Sequence, residues 1–224
     1  MPTSSVMSTS SLFGLQLSRL QVACSLLIFL SLAAADCLAP AFSQTHYSMT
    51  TLLHCTRDES IMKAFQLMTE GPGEPSLRRI VSKPVRVVFK DMRLLNKSLK
   101  NYDALSWMSN QGEQVIFVND KHRLAPPEAL AALIAHEAMH DDAENSLSEE
   151  VESWRFEATV WMALKAKNPE LNKLAEGTSP LVDRENRLEK ELKAGTLEAF
   201  VRSSPGYKGL PESSPGFGDK RAQR

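Results

Sequence analysis

A chain of 224 residues, 42% hydrophobic and 24% charged with a formal net charge of -1, has the balance of an ordinary globular protein and the length of one domain. So small a charge gives neither nucleic acid nor an anionic membrane surface an electrostatic hold, and neither is expected as a partner. Three cysteines are too few for a disulfide framework, so the fold must be held by its core.

The chain opens with a Ser- and Thr-rich stretch whose single basic residue is Arg19, followed by an apolar run over residues 20–35. Its densest part, Leu26 to Leu32, is short for a bilayer span and leads into small residues that suit a signal peptidase. This predicts export, to a secreted or periplasmic location, with cleavage after Ala35 or after Ser43. The competing reading is an uncleaved membrane anchor through residues 20–35. A lipoprotein site at Cys37 is disfavoured by Asp36 before it. Cys24 leaves with a signal peptide, so Cys37 and Cys55 could pair only if the earlier site is cut. The expected division is therefore 1–43 as signal peptide or anchor, 44–202 as a folded domain and 203–224 as a tail.

Within the domain, residues 44–54 read as an unstructured entry, with His46 and His54 on its surface. Ile61, Met62, Phe65 and Met68 recur at helical spacing and predict a helix over 58–69, stopped by Gly71 to Pro75. The β-branched run after Pro84, up to Lys90, reads as a strand. Residues 104–109 and 114–119 read as a hairpin about the Gly-containing turn at 110–113. Pro126, Pro127 and Glu128 open a central helix in which Ala129, Ala132 and His136 trace a row of small residues toward His140. The acidic residues Asp141, Asp142 and Glu144 are poorly placed at a helix C-terminus and predict that it stops there. Ser146 to Glu149 has the form of a capping box for a second helix, 149–167, ended by Asn168 and Pro169. So short a connection makes the two helices antiparallel neighbours. Further helices are expected over 183–193 and 197–201, and the repeated Ser-Ser-Pro-Gly after residue 203 reads as a flexible, disordered tail. The fold class is α+β: a small mixed or antiparallel sheet, then an active-site helix, then its antiparallel partner.

The chemistry is concentrated at His136-Glu137-Ala138-Met139-His140. Two histidines one helical turn apart lie on one face and can grip one metal ion, and the glutamate beside the first can act as a base toward a water activated there. Catalytic zinc needs a third protein ligand and an open position. No histidine follows His140, and Asp183 lies beyond Pro169, which leaves glutamates of the second helix: Glu149, Glu150, Glu152 and Glu157. Reflecting the histidine pair through the connection points to residues near 154, within about 3.6 residues either way. Glu150, Ser153, Trp154, Glu157, Ala158 and Trp161 share a face, with Glu152 turned away from it. Glu150 is preferred because Ser153 leaves room for the histidine helix, and Glu157 is second. Tyr102, His122 and Arg155 are the candidates for stabilising a developing oxyanion, each with a structural reading beside it, and the tryptophans read as core.

His136-Glu137-Ala138-Met139-His140 followed by Glu150-Val151-Glu152-Ser153 resembles the gluzincin group of zinc metallopeptidases, over about residues 84–167. The resemblance implies a minimal zincin core and one Zn2+ ion held by His136, His140 and Glu150. It further implies Glu137 as catalytic base and a peptide or protein substrate. Trp154 stands where many members carry an aspartate that orients a ligand histidine. With an open sheet edge beside the cleft, residues 114–119 would take an extended peptide as an added strand; the alternative is that they form an interior strand, and the sequence does not separate the two. Two rival readings stand beside the peptidase: a noncatalytic exported domain that keeps the metal or only the helix pair, and an interaction protein that binds through its tail.

Overall fold

A computed structural model describes residues 47–109, 111–140 and 144–214. Residues 1–43, with the proposed signal or anchor, and His46 lie outside the described residues. Among the described residues, seven α-helices accompany one three-stranded sheet, an α+β fold. No helix of these residues is long and apolar enough to cross a membrane.

The region before the sheet is more helical than its composition suggests. α1 (Met49–Cys55) starts at Ser48, whose Oγ accepts the Thr51 N–H, so the expected unstructured entry is a capped helix, with His54 exposed on it. α2 (Glu59–Met68) is capped by Asp58 and buries Ile61, Ala64, Phe65 and Met68, the stripe read from the sequence. α3 (Glu74–Ser82) begins inside the Gly71–Pro75 stretch expected to be only a breaker. Pro75 falls in the first helical turn, where a missing N–H costs nothing, and Leu77 and Ile80 supply the buried face.

β1 (Arg86–Lys90), β2 (Ala104–Met108) and β3 (Gln114–Asn119) form a mixed sheet of order β1-β3-β2. The hairpin forms as expected, in the register Ala104↔Val118 to Met108↔Gln114, and Gly112 takes its turn position at φ 80°, a conformation that favours glycine. β1 runs parallel to β3 on its other side. Residues 114–119 are therefore the interior strand, the second of the two readings the sequence left open, and not an open edge for a peptide. The edge is β2. A hairpin partner that also receives a parallel crossover strand has both sides of its backbone engaged.

α4 (Pro127–Glu137) is buried all round, from Ala129 through Glu137, and packs chiefly on α2 and α5 (Leu147–Lys167). Glu128 near its start accepts from Asn168 just past the end of α5, whereas His136 near its end meets Glu150 near the start of α5, so the two helices run antiparallel. α6 (Pro180–Ala194), closed by Gly195 in the left-handed region, and α7 (Leu197–Arg202) cover the far side of α5 through Leu188, Leu197 and Val201.

Two expectations about chain ends need correction. α4 stops at Glu137, before the acidic residues, with Ala138 as its C-cap. Arg79 of α3 donates to the Ala138 and Met139 carbonyls at 2.8 and 2.9 Å, Ser76 donates to Ala135 at 3.0 Å, and Gln114 donates to the His140 carbonyl. Carbonyls left over at a helix C-terminus need donors, and a cation there also suits the helix dipole, so the chain can leave the helix without a glycine. Residues 203–214, expected to belong to a flexible tail, fold back onto the start of α5: the Leu147 and Ser148 N–H groups donate to the Pro211 and Glu212 carbonyls at 2.9 and 3.0 Å. Those N–H groups lie in the first turn of α5, where no intrahelical partner exists, so the returning segment satisfies donors that water would otherwise take. The remainder, 215–224, lies outside the described residues.

Candidate metal centre

The end of α4 and the start of α5 bring three donors together. His136 Nε2 and His140 Nε2 are 3.3 Å apart, and the Glu150 carboxylate lies 3.7 Å from each, through Oε2 and Oε1 respectively. All three groups are within 4.8 Å of one another and largely buried. His140 reaches this point from the turn after α4 rather than from the helix itself, held there by Arg79 and Gln114.

The surroundings fix which ring atoms face inward. His140 Nδ1 is 3.1 Å from Glu149 Oε1, and His136 Nδ1 is 3.0 Å from Glu157 Oε2, the latter an oblique ion-pair approach rather than an in-line hydrogen bond. Each ring therefore gives its Nδ1 side to a carboxylate and turns Nε2 toward Glu150. Outer partners of this kind select the tautomer that leaves Nε2 free to ligate. Of the four glutamates read as third-ligand candidates, Glu150 faces both Nε2 atoms, Glu149 and Glu157 stand behind the two rings, and Glu152 pairs with Arg155 away from the site. Glu149 also explains a partial capping box. Ser146 Oγ accepts the Glu149 N–H at 3.3 Å, while the Glu149 carboxylate, instead of reaching back to Ser146, serves His140.

The Glu150 carboxylate is held by Asn145, by the Trp154 indole N–H at 3.2 Å and by the Tyr207 hydroxyl. Trp154, whose place the resemblance would give to an orienting aspartate, packs edge-on against His136 at 5.8 Å between ring centres. Behind Glu157, Arg184 binds Glu157 and reaches Asp103 at 3.2 Å, and Asp103 accepts His122 at 2.8 Å. An ionic chain, buried at its His136–Glu157 end and partly exposed at Asp103, thus runs from His136 to the foot of β2. Glu185 shares Arg184 with Glu157. Burial and the Glu157 charge push the Glu185 carboxyl far up, with Arg184 opposing.

Charge at the centre follows the same pattern. Burial disfavours the charged ring of His140, but the Glu149 hydrogen bond and the Glu150 and Glu137 charges outweigh it and push its pKa up to about 9. Burial raises Glu137, with the two histidines opposing and Glu150 and Glu157 adding to the rise. Burial also works against ionised Glu150, yet the histidine charges and its hydrogen bonds hold it below the ordinary range. The carboxylates thus call for positive charge at this point.

Beside the centre lies a cavity of about 380 Å³ into which His136, Glu137, His140 and Glu150 open. All five residues of β2 line it as well, together with Tyr102, Gly206, Tyr207 and Leu210. Tyr102 is thus at the cavity, whereas His122 is bound to Asp103 and Arg155 to Glu152, which removes both as oxyanion donors. Trp161 is core, as read from the sequence, but Trp107 lies 49% exposed on the cavity rim. Residues the sequence reading passed over are Ser76, Arg79, Asn145, Tyr207 and Ser214. Only Asn145, directly before a recognisable cap, carried a local signal.

The donor set fits a zinc ion. Donors set tetrahedrally about 2.0 Å from a centre are separated by roughly 3.3 Å, and two imidazoles with one carboxylate are the ligand types of a catalytic zinc site. The histidine pair already has that separation. No family model, curated protein or solved structure matches this chain.

Proposed function

We propose that this protein is a zinc-dependent metallopeptidase of gluzincin type, acting after export. The observation that carries the proposal is the convergence of His136, His140 and Glu150 on one point at the wall of a cavity that also holds Glu137. His136 Nε2, His140 Nε2 and a Glu150 oxygen would hold the ion. When bound, zinc supplies a Lewis acid that polarises a carbonyl oxygen and lowers the pKa of a water.

The chain's own residues do the remaining work. Glu137 is buried at the cavity with its pKa raised, which brings a carboxylate closer to the range where it can take a proton from water and return it to a leaving amine. A closed structural site has no use for such a base, and this favours the peptidase over the noncatalytic reading. β2 supplies the means of holding an extended peptide. Asn119 donates to the Asp103 carbonyl, and Ser109 donates to Glu113, so alternate residues of β2, Leu105 and Trp107, bond to β3. Ala104, Ser106 and Met108 then turn their backbone groups to the free edge along the cavity, where a peptide can add as a strand.

The test is metal content and peptide cleavage in the wild type and in Glu137→Gln. The expected outcome is about one zinc per chain in both proteins, with cleavage of an unstructured protein such as casein by the wild type alone. Cleavage that survives the substitution would falsify the mechanism, and zinc without cleavage in either protein would favour the noncatalytic domain.

A further inference from the structure

The segment after α7 belongs to the metal centre. Tyr207 hydrogen-bonds the Glu150 carboxylate, and its oxygen also accepts the Trp154 indole N–H at 2.7 Å. Ser214, itself buried, donates to Glu149 Oε2 at 3.1 Å, and Glu149 is the carboxylate behind His140. One short stretch thus buttresses one ligand directly and a second through its partner. It is fastened at two further places: by the Leu147 and Ser148 N–H groups, and by the paired contacts of Arg202 with Glu212 at 2.7 and 2.9 Å.

We propose that residues 203–214 form a strap whose docking and metal binding at His136, His140 and Glu150 stabilise each other, so that an undocked strap means a weak metal site. The inference rests on the metal reading above. Its physical basis is linkage: a strap that holds Glu150 and Glu149 in their ligating positions favours metal, and metal held there must favour the docked strap by the same factor. Tyr207 and Ser214 are positioning residues in this scheme. The strap also lines the cavity through Gly206, Tyr207 and Leu210, so releasing it would open the cavity as it weakens the site.

The experiment measures zinc affinity by chelator competition on the full chain and on Tyr207→Phe, Ser214→Ala and Glu212→Gln. Hydrogen exchange at the Leu147 and Ser148 amides is followed with and without zinc. Tyr207→Phe and Ser214→Ala each remove one oxygen and are expected to weaken zinc binding about 10-fold or more. Glu212→Gln touches no ligand and is expected to weaken it less, through loosening of the strap alone. Zinc is expected to slow exchange at Leu147 and Ser148. Melting of the metal-free proteins confirms that each variant folds. If the wild type binds zinc and all three variants bind it as tightly, or if exchange at the two amides ignores zinc, the strap proposal is overturned and the metal reading stands. If the wild type takes up no zinc, both fall.

Discussion

Glu150 and Glu157 illustrate how residues of one type on one helix take different duties. Glu150 faces two Nε2 atoms, so Glu150→Ala is expected to abolish zinc uptake. Glu157 only backs His136, so Glu157→Gln is expected to keep the metal with affinity lowered about 10- to 100-fold, read by the same chelator titration. Reversal of the two results would move the ligand assignment to Glu157. Asp103, farther along the ionic chain, governs acid stability. Burial works against its charge, but the His122 hydrogen bond and the Arg184 and Lys121 charges hold its carboxyl well below the ordinary value of 3.8. A depressed carboxyl contributes stability above the unfolded value and loses it as pH falls toward the folded one. Denaturant unfolding of the wild type and Asp103→Asn should therefore differ most above pH 5 and converge as the pH drops below 3.8. At this scale the histidine pair was legible because a separation of four residues keeps the two rings within local reach, although His140 stands in the turn just past α4 and not in the helix the spacing implied. Tyr207 and Ser214 were not, because each meets its partner more than fifty residues away and no periodicity announces such a contact.

Among the elements, α3 shows how a helix can matter to a site that it does not enter. Its Arg79 and Ser76 side chains finish α4, and the turn they hold carries His140 to its place. Arg79→Met leaves two carbonyls without their donor, and the expected cost is about 1 to 3 kcal/mol in unfolding free energy. The same variant should bind zinc more weakly, because the His140 turn loses its anchor. The sequence reading missed α3 for a definite reason: glycines and prolines at 71–75 mark a break, yet the last of those prolines also suits a first helical turn. The sheet was read more fully. Alternation and the Gly112 turn define the hairpin, but no local pattern says whether β3 lies at the edge or inside, and β1 settles it by pairing on its other side.

For the molecule as a whole, a centre assembled from α4, α5 and the returning strap would make metal binding, as proposed, a contribution to folding. A ligand bound only by the native state stabilises it by about 2.7 kcal/mol at a concentration 100 times its Kd. Thermal unfolding should accordingly shift upward with added zinc and downward with a chelator, and the shift should vanish in Glu150→Ala. An unchanged midpoint in the wild type across zinc concentrations would argue against a native-state site. The α+β class and the α4–α5 pair followed from pattern and spacing, whereas the return of residues 203–214 onto α5 was hidden in a composition that reads as solvated chain.

The tryptophans add an optical consequence. Trp107 sits on the cavity rim, Trp154 lies against His136 and Glu150, and Trp161 is fully enclosed in the core. Their indoles are three fluorophores in three dielectric settings, one for each event the protein would undergo. In variants keeping a single tryptophan, emission from Trp154 should change on zinc titration, emission from Trp107 should shift as a peptide docks along β2, and emission from Trp161 should respond to neither until the chain unfolds.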